Sequence, residues 1–253
     1  MDWNPESYAK FGGLRLRPAL DLLAQVPALP KGDVVDLGCG NGPVGAALKA
    51  RFGRRVLGVD NSDSMLAEAG QTGSYDALEN ADIADWQGAP ALIFSNAALH
   101  WLPDHAALFP RLARMLPVGG VLAVQMPRQF EAPSHVLLRE VSAVLFPERF
   151  SYASYVPPVA PPQGLAEILE PLGALNIWEA SYFQHLNAEE GHPVRRFTQS
   201  TAARPILAKL NTAEQRQFLA AYDEALLRPY PRAADGSVRF PFLRQFIVLV
   251  RGR

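Results

Sequence analysis

Two hydrophobic rhythms share this chain. Short apolar runs at 34–37, 55–60, 91–96 and 121–126 predict strands buried on both faces. Between them, segments 17–26, 43–49, 64–69 and 106–116 carry apolar residues at helical spacing. Pro18 near the start of the first helix, with Pro27 and Pro30 beyond it, marks its ends. Pro43 suits a first helical position, where a missing N–H is harmless. A further strand is predicted around 77–83, ending on Ala81-Asp82-Ile83. Strands alternating with helices predict an α/β fold with a doubly wound, parallel, Rossmann-like sheet.

After Met126 the alternation stops. Helices are predicted near 136–146, 164–172, 194–210 and 212–227, with strands at 177–183 and 246–250. Val156-Pro157-Pro158-Val159-Ala160-Pro161-Pro162 predicts a stiff connector. The chain therefore reads as one domain with two cap segments, at about 127–162 and 186–238. Both follow sheet strands, where open α/β folds place their ligand crevice.

Composition narrows the function. With 253 residues and a formal net charge of -1, the chain has one sizeable core and no basic run to hold nucleic acid. No apolar stretch approaches a membrane span, and the start Met1-Asp2-Trp3-Asn4-Pro5 lacks signal-peptide character. Cys39 is the only cysteine, so no intrachain disulfide is available and the cytoplasm is the expected compartment. Cys39 is either a reactive thiol beside a helix start or a small residue that fits the turn. His105, His135, His185 and His192 show no ligand spacing, and no metal site is expected.

The chemistry centres on Asp36-Leu37-Gly38-Cys39-Gly40-Asn41-Gly42. Glycines let backbone approach a ligand, and the following helix start offers N–H groups. Gly40 to Gly45 fits the dinucleotide pattern G-x-G-x-x-G, with an acid, Asp60, at the expected distance. Asp36, however, would repel a diphosphate lying on the turn and attract a ligand ammonium. S-adenosylmethionine has an ammonium, a sulfonium and a ribose diol but no phosphate, so it is favoured over NAD. A turn that merely closes a βα unit is the plain alternative.

Other candidates line the strand ends. Asp60 and Asn61 suit a ribose diol, although Asp60-Asn61-Ser62-Asp63 also reads as a turn and helix cap. Met65 suits an adenine face or the core. Asp82 with the Ile83 backbone suits the adenine edge, or is a solvated turn. Asn96 ends the fourth strand without the Pro-Pro-aromatic element used to hold an amide or ring nitrogen. His100 is a candidate base or hydrogen-bond donor, or a histidine placed by packing; Tyr8 and Trp101 are candidates for closing the site.

These residues resemble the class I S-adenosylmethionine-dependent methyltransferases and, within them, the trans-aconitate 2-methyltransferases. The likeness also rests on Asp2-Trp3-Asn4-Pro5 with Tyr8 and Phe11, Arg15-x-Arg17-Pro18-Ala19, Met65-Leu66-Ala67-Glu68-Ala69, Trp101-Leu102-Pro103-Asp104-His105, Gln125-Met126-Pro127 and Phe246-Ile247-Val248. It implies a seven-stranded sheet with an antiparallel last strand, a helical cap, and methyl transfer to a carboxylate oxygen of a small polyacid. The implied cofactor set is Asp36, Gly38, Cys39, Gly40, Asp60, Asn61, Met65, Asp82, Ile83 and Asn96, with Arg17 toward the cofactor carboxylate. A polyacid needs cationic clamps, and Arg128, Arg195, Arg196 and Arg204 are the candidates. Arg128-Gln129-Phe130 and the Pro-rich 147–162 depart from related sequences, which leaves the acceptor open. Other acceptors, an acyl-carrier-bound carboxylate among them, and a non-catalytic cofactor-binding module stand as alternatives.

Overall fold

A computed structural model describes residues 16–199 and 201–253. The chain divides into two compact units, the first comprising residues up to 127 with 158–180 and 244–253, the second 128–157 and 181–243. Among the described residues no helix is long and apolar enough to cross a membrane.

The first unit carries α1 (Arg17–Ala24), β1 (Val34–Leu37), α2 (Gly45–Phe52), β2 (Val56–Asp60), α3 (Asp63–Gln71), β3 (Ala77–Asn80), β4 (Leu92–Asn96), α4 (His105–Met115), β5 (Val121–Pro127) and α6 (Pro162–Leu169). The later strands are β6 (Gly173–Leu186) and β7 (Val238–Arg251), whose distal residues belong to the second unit. Strand order in the single seven-stranded sheet is β3-β2-β1-β4-β5-β7-β6. β1 pairs in parallel with β2 and β4, β2 with β3 and β4 with β5; β7 runs antiparallel to β5.

The apolar runs explain this layout. All four residues of β1 are buried, as are the first four of β4 and the first six of β5, because helices cover both faces of a parallel sheet. Strand order reverses between β1 and β4, which places a crevice beyond their carboxyl ends. Ser95 ties these two strands together, its buried hydroxyl donating to the Leu37 carbonyl at 2.7 Å.

Three expectations shift. α2 starts at Gly45 with Val44 as its cap, so Pro43 lies in the turn and not in the first helical position. β3 ends at Asn80, leaving Ala81-Asp82-Ile83 in the loop that follows. The helix expected over 194–210 is two helices, α7 (Pro193–Gln199) and α8 (Arg204–Leu207), because Pro205 lacks the N–H that a helix interior requires.

The second unit adds α5 (Pro133–Leu145) and α9 (Thr212–Leu226) around a core that includes Leu138, Phe146, Phe218, Tyr222 and Phe240. Its buried Ser134 backbone is paired on both sides: Tyr222 donates to the Ser134 carbonyl at 2.7 Å, and the Tyr230 hydroxyl accepts from the Ser134 amide at 3.1 Å. Asn211 and Glu214 close a capping box on α9.

Candidate active site

The turn after β1 is built by left-handed glycines. Gly38, Gly40 and Gly42 have φ of 79°, 54° and 83°, a region that side-chain-bearing residues avoid. The Gly38 and Cys39 amides both donate to the Val59 carbonyl, at 2.8 and 2.9 Å, which folds the turn across the end of β2. A Cβ at Gly38 would collide with Ala98, so the strand ends of β1 and β4 approach each other there. A Cβ at Gly40 would meet nothing within 4 Å. The turn therefore opens onto free space at Gly40, beside an α2 N-terminus with no side-chain cap.

Asp60 shapes that opening. One carboxylate oxygen accepts from the Gly40 amide at 2.9 Å and the other from the Ser62 amide at 3.0 Å. The acid stays half-buried and pins the turn to the end of β2. Ser62 caps α3, accepting from the Met65 amide at 3.4 Å, so the cap reading and the binding reading of this segment coexist. Asn61 and Met65 are exposed beside it. In the loop after β3, Asp82 is exposed and accepts from the Ala84 amide at 2.8 Å. Arg111 fixes this loop by donating to the carbonyls of Ile83 and Trp86 at 2.6 and 2.7 Å.

Asp36 has a partner within the fold. Its carboxylate is 2% exposed, and one oxygen accepts from the Tyr75 hydroxyl at 2.7 Å. Burial raises its pKa to about 7, with the Tyr75 bond opposing and the Asp60 charge adding to the rise. Burial likewise lifts the Tyr75 phenol well above its usual range. The tyrosine ring lies where glycines make room: a Cβ at Gly42 would approach it to 2.9 Å, and one at Gly45 to 2.5 Å. Tyr75 is the residue that sequence reading missed. Cys39 is buried and its thiol is pushed up to about 12, chiefly by burial and then by Asp36 and Asp60, which makes it a packing residue and not a nucleophile.

The ends of β4 and β5 form a second polar cluster. Asn96 pairs in register with Gln125, and the following Ala97 has φ of 55°, a strained conformation for a non-glycine residue, with its amide donating to the Gln125 carbonyl at 2.8 Å. Asn96 Oδ1, His100 Nδ1 and Gln125 Nε2 are buried without a hydrogen-bond partner among the described residues. Burial lowers the His100 pKa to about 4, helped by the Arg244 charge, so the imidazole is neutral at pH 7. Trp101 stands 79% exposed with its ring 4.6 Å from that of His100.

The arginines separate by environment. Arg17 pairs with Asp21 one helical turn on, at 3.6 Å. Arg195 is 8% exposed, and its guanidinium donates to Asp223, Gln199 and the Glu190 carbonyl at 2.7, 3.0 and 2.8 Å. A buried cation needs such partners, and they make Arg195 a structural residue of the second unit and not a substrate clamp. Arg196 is half-exposed and pairs with Glu189 at 3.0 Å; Arg128 pairs with Glu131; Arg204 is exposed at the start of α8. Tyr8, with Arg15 and the Asp-Trp-Asn-Pro opening, lies outside the described residues.

Comparison with known proteins agrees with this geometry. A family model described as a methyltransferase domain matches residues 34–120. The trans-aconitate 2-methyltransferase of Methylobacterium nodulans is 42% identical, over 100% of this chain and 99% of its own. Among solved structures, the Bacillus YcgJ protein aligns at a TM-score of 0.60 and 13% identity, covering 94% of this chain and 99% of that one. Phosphoethanolamine N-methyltransferase 2 of Haemonchus contortus, in complex with S-adenosyl-L-methionine, aligns at 0.54 and 17%, covering 94% of this chain and 53% of that longer one. These two structures share the fold. By its full-length likeness to the first relative, the chain belongs to the trans-aconitate 2-methyltransferase family of S-adenosylmethionine-dependent methyltransferases.

Proposed function

We propose that this chain transfers the methyl group of S-adenosylmethionine to a carboxylate oxygen of trans-aconitate, yielding the methyl ester and S-adenosylhomocysteine. The carrying observation is the 42% identity across the whole chain to a trans-aconitate 2-methyltransferase. The donor set fits the cofactor. Gly40 opens onto free space beside the two-oxygen acceptor Asp60, which suits a ribose diol. The orphaned Asn96 Oδ1 suits an ammonium, Asp82 and the Ile83 amide suit the adenine edge, and Met65 and Asn61 flank them.

When bound, the cofactor supplies an electrophilic methyl on a cationic sulfur. The protein's part is placement. An ionised carboxylate attacks without losing a proton, so no general base is required, and neutral His100 serves as a hydrogen-bonding group. Holding the partners in line is worth up to roughly 7–11 kcal/mol. In this reading Arg128, Arg196 and Arg204, with Tyr8 and Trp101, are the residues proposed for the acceptor. The cytoplasm is the compartment this activity expects, with a small acid and no macromolecule as partner.

A panel of acceptors tests the reading. Values of kcat/KM are measured for trans-aconitate, other tri- and dicarboxylates, a monocarboxylate and a malonyl-acyl carrier protein. The tricarboxylate is expected to lead. Faster turnover of the acyl carrier, or of an amine, would replace the proposed substrate.

A further inference from the structure

Arg244 stands opposite Pro127 in the β5–β7 ladder, two residues from the Gln125–Phe246 pair. Residues two apart on a strand share a face, and the Arg244 guanidinium accordingly donates to Gln125 Oε1 at 3.2 Å. A guanidinium can only donate, so this contact fixes which end of the amide is oxygen. The Gln125 NH2 group is thereby the free end. It is fully buried, 0% exposed, and has no acceptor among the described residues. A buried donor left unmade destabilises a fold unless a ligand completes it. His100 Nδ1, also buried without a hydrogen-bond partner among the described residues, belongs to the same neighbourhood, since its turn, Leu99–Trp101, packs against β5.

Two kinds of donor, one carrying full positive charge, thus converge at the carboxyl ends of β4 and β5. Neither a cation nor an apolar group satisfies the buried Gln125 amide donor. A carboxylate does, since it carries about four acceptor sites and takes charge-assisted bonds from arginine. From this juxtaposition we infer that the Gln125 amide and the Arg244 guanidinium form a subsite for a carboxylate of the methyl acceptor, with His100 beside it. The inference rests on the polyacid reading above and names residues for it that lie on the sheet itself. Because Gln125 and Arg244 already hold each other, the subsite is preorganised, and binding loses little side-chain freedom there.

Three variants test it: Gln125→Glu, which turns the free donor into an anion paired with Arg244; Gln125→Met, which keeps the volume; and Arg244→Lys, which keeps the charge. Acceptor KM, cofactor affinity by calorimetry, and melting temperature are measured for each. The expected result is an acceptor KM raised about 10- to 100-fold in both Gln125 variants, with cofactor affinity within about twofold of wild type. Arg244→Lys falls between them and wild type. An unchanged acceptor KM in the folded variants, or an equal loss of cofactor affinity, overturns the subsite. Should Gln125→Glu not fold, Gln125→Met and Arg244→Lys decide by the same criteria. Direct titration of trans-aconitate into the protein with S-adenosylhomocysteine separates this inference from the reading it rests on. Wild type that binds the acid without methylating it, with binding lost in Gln125→Glu, keeps the subsite and removes the activity. Wild type that methylates trans-aconitate with Gln125 and Arg244 replaced at no loss keeps the activity and removes the subsite.

Discussion

Tyr75 donates its hydroxyl to the Asp36 carboxylate at 2.7 Å, linking the segment before β3 to the end of β1 beneath the glycine turn. The acid that precedes the turn is therefore part of the turn's support. Its folded pKa of about 7 lies above its ordinary 3.8, so between those values the folded chain holds a proton that the unfolded chain has released. Stability from this group is fully present below about pH 4 and is lost as pH rises through about 7. Denaturant titrations from pH 4 to 8 are expected to show that decline in wild type and a flatter profile in Asp36→Asn.

Tyr75→Phe removes the hydrogen-bond donor while keeping the ring that fills the space beside Gly42 and Gly45. The expected loss is about 1–3 kcal/mol, greater at pH 8 than at pH 5, because the ionised carboxylate depends most on the bond. Equal losses at both pH values would remove Tyr75 as its partner.

Gly38 and Gly40 separate stability from binding. Gly40→Ala places a methyl in open space at a left-handed φ, at a strain of about 1–2 kcal/mol, and is expected to weaken cofactor binding more than it lowers the melting temperature. Gly38→Ala drives a methyl into Ala98 and is expected to lower the melting temperature more. Calorimetry beside thermal melts reads both; the reverse order would place the cradle elsewhere.

Asp60→Asn keeps the volume but replaces one accepting oxygen with a donor facing a backbone N–H. Cofactor affinity is expected to fall about 10- to 100-fold, the scale of a lost hydrogen bond to a charged group. A dissociation constant unchanged by this substitution would remove Asp60 from the ribose role.

The second unit's arginines give opposite outcomes. Arg195→Ala strands Asp223 and is expected to destabilise by roughly 3 kcal/mol. Arg204→Ala, exposed at the start of α8, is expected to leave the melting temperature within about 1 °C of wild type while raising acceptor KM. Melting curves and acceptor titrations of the two variants check this.

Much of the sheet was legible because buried parallel strands write themselves as continuous apolar runs, as 91–96 and 121–126 do. The tight turn at Gly40 was legible because a left-handed backbone admits few residue types. Tyr75 was hidden because its role depends on glycines that are distant in sequence and on a carboxylate in another strand. Gln125 carried a signal, a lone amide in the apolar run Val121-Leu122-Ala123-Val124-Gln125-Met126, but its partner Arg244 becomes visible only when β7 pairs with β5. Arg195 looked like its neighbour Arg196 because burial is not written in the residue type.

Methyl transfer to an acid is the central claim, and mass spectrometry of the product after incubation with methyl-labelled S-adenosylmethionine and trans-aconitate tests it most directly. The account predicts one labelled methyl per acid molecule, released as methanol by mild base. Unmodified acid with the label retained on the cofactor would contradict it.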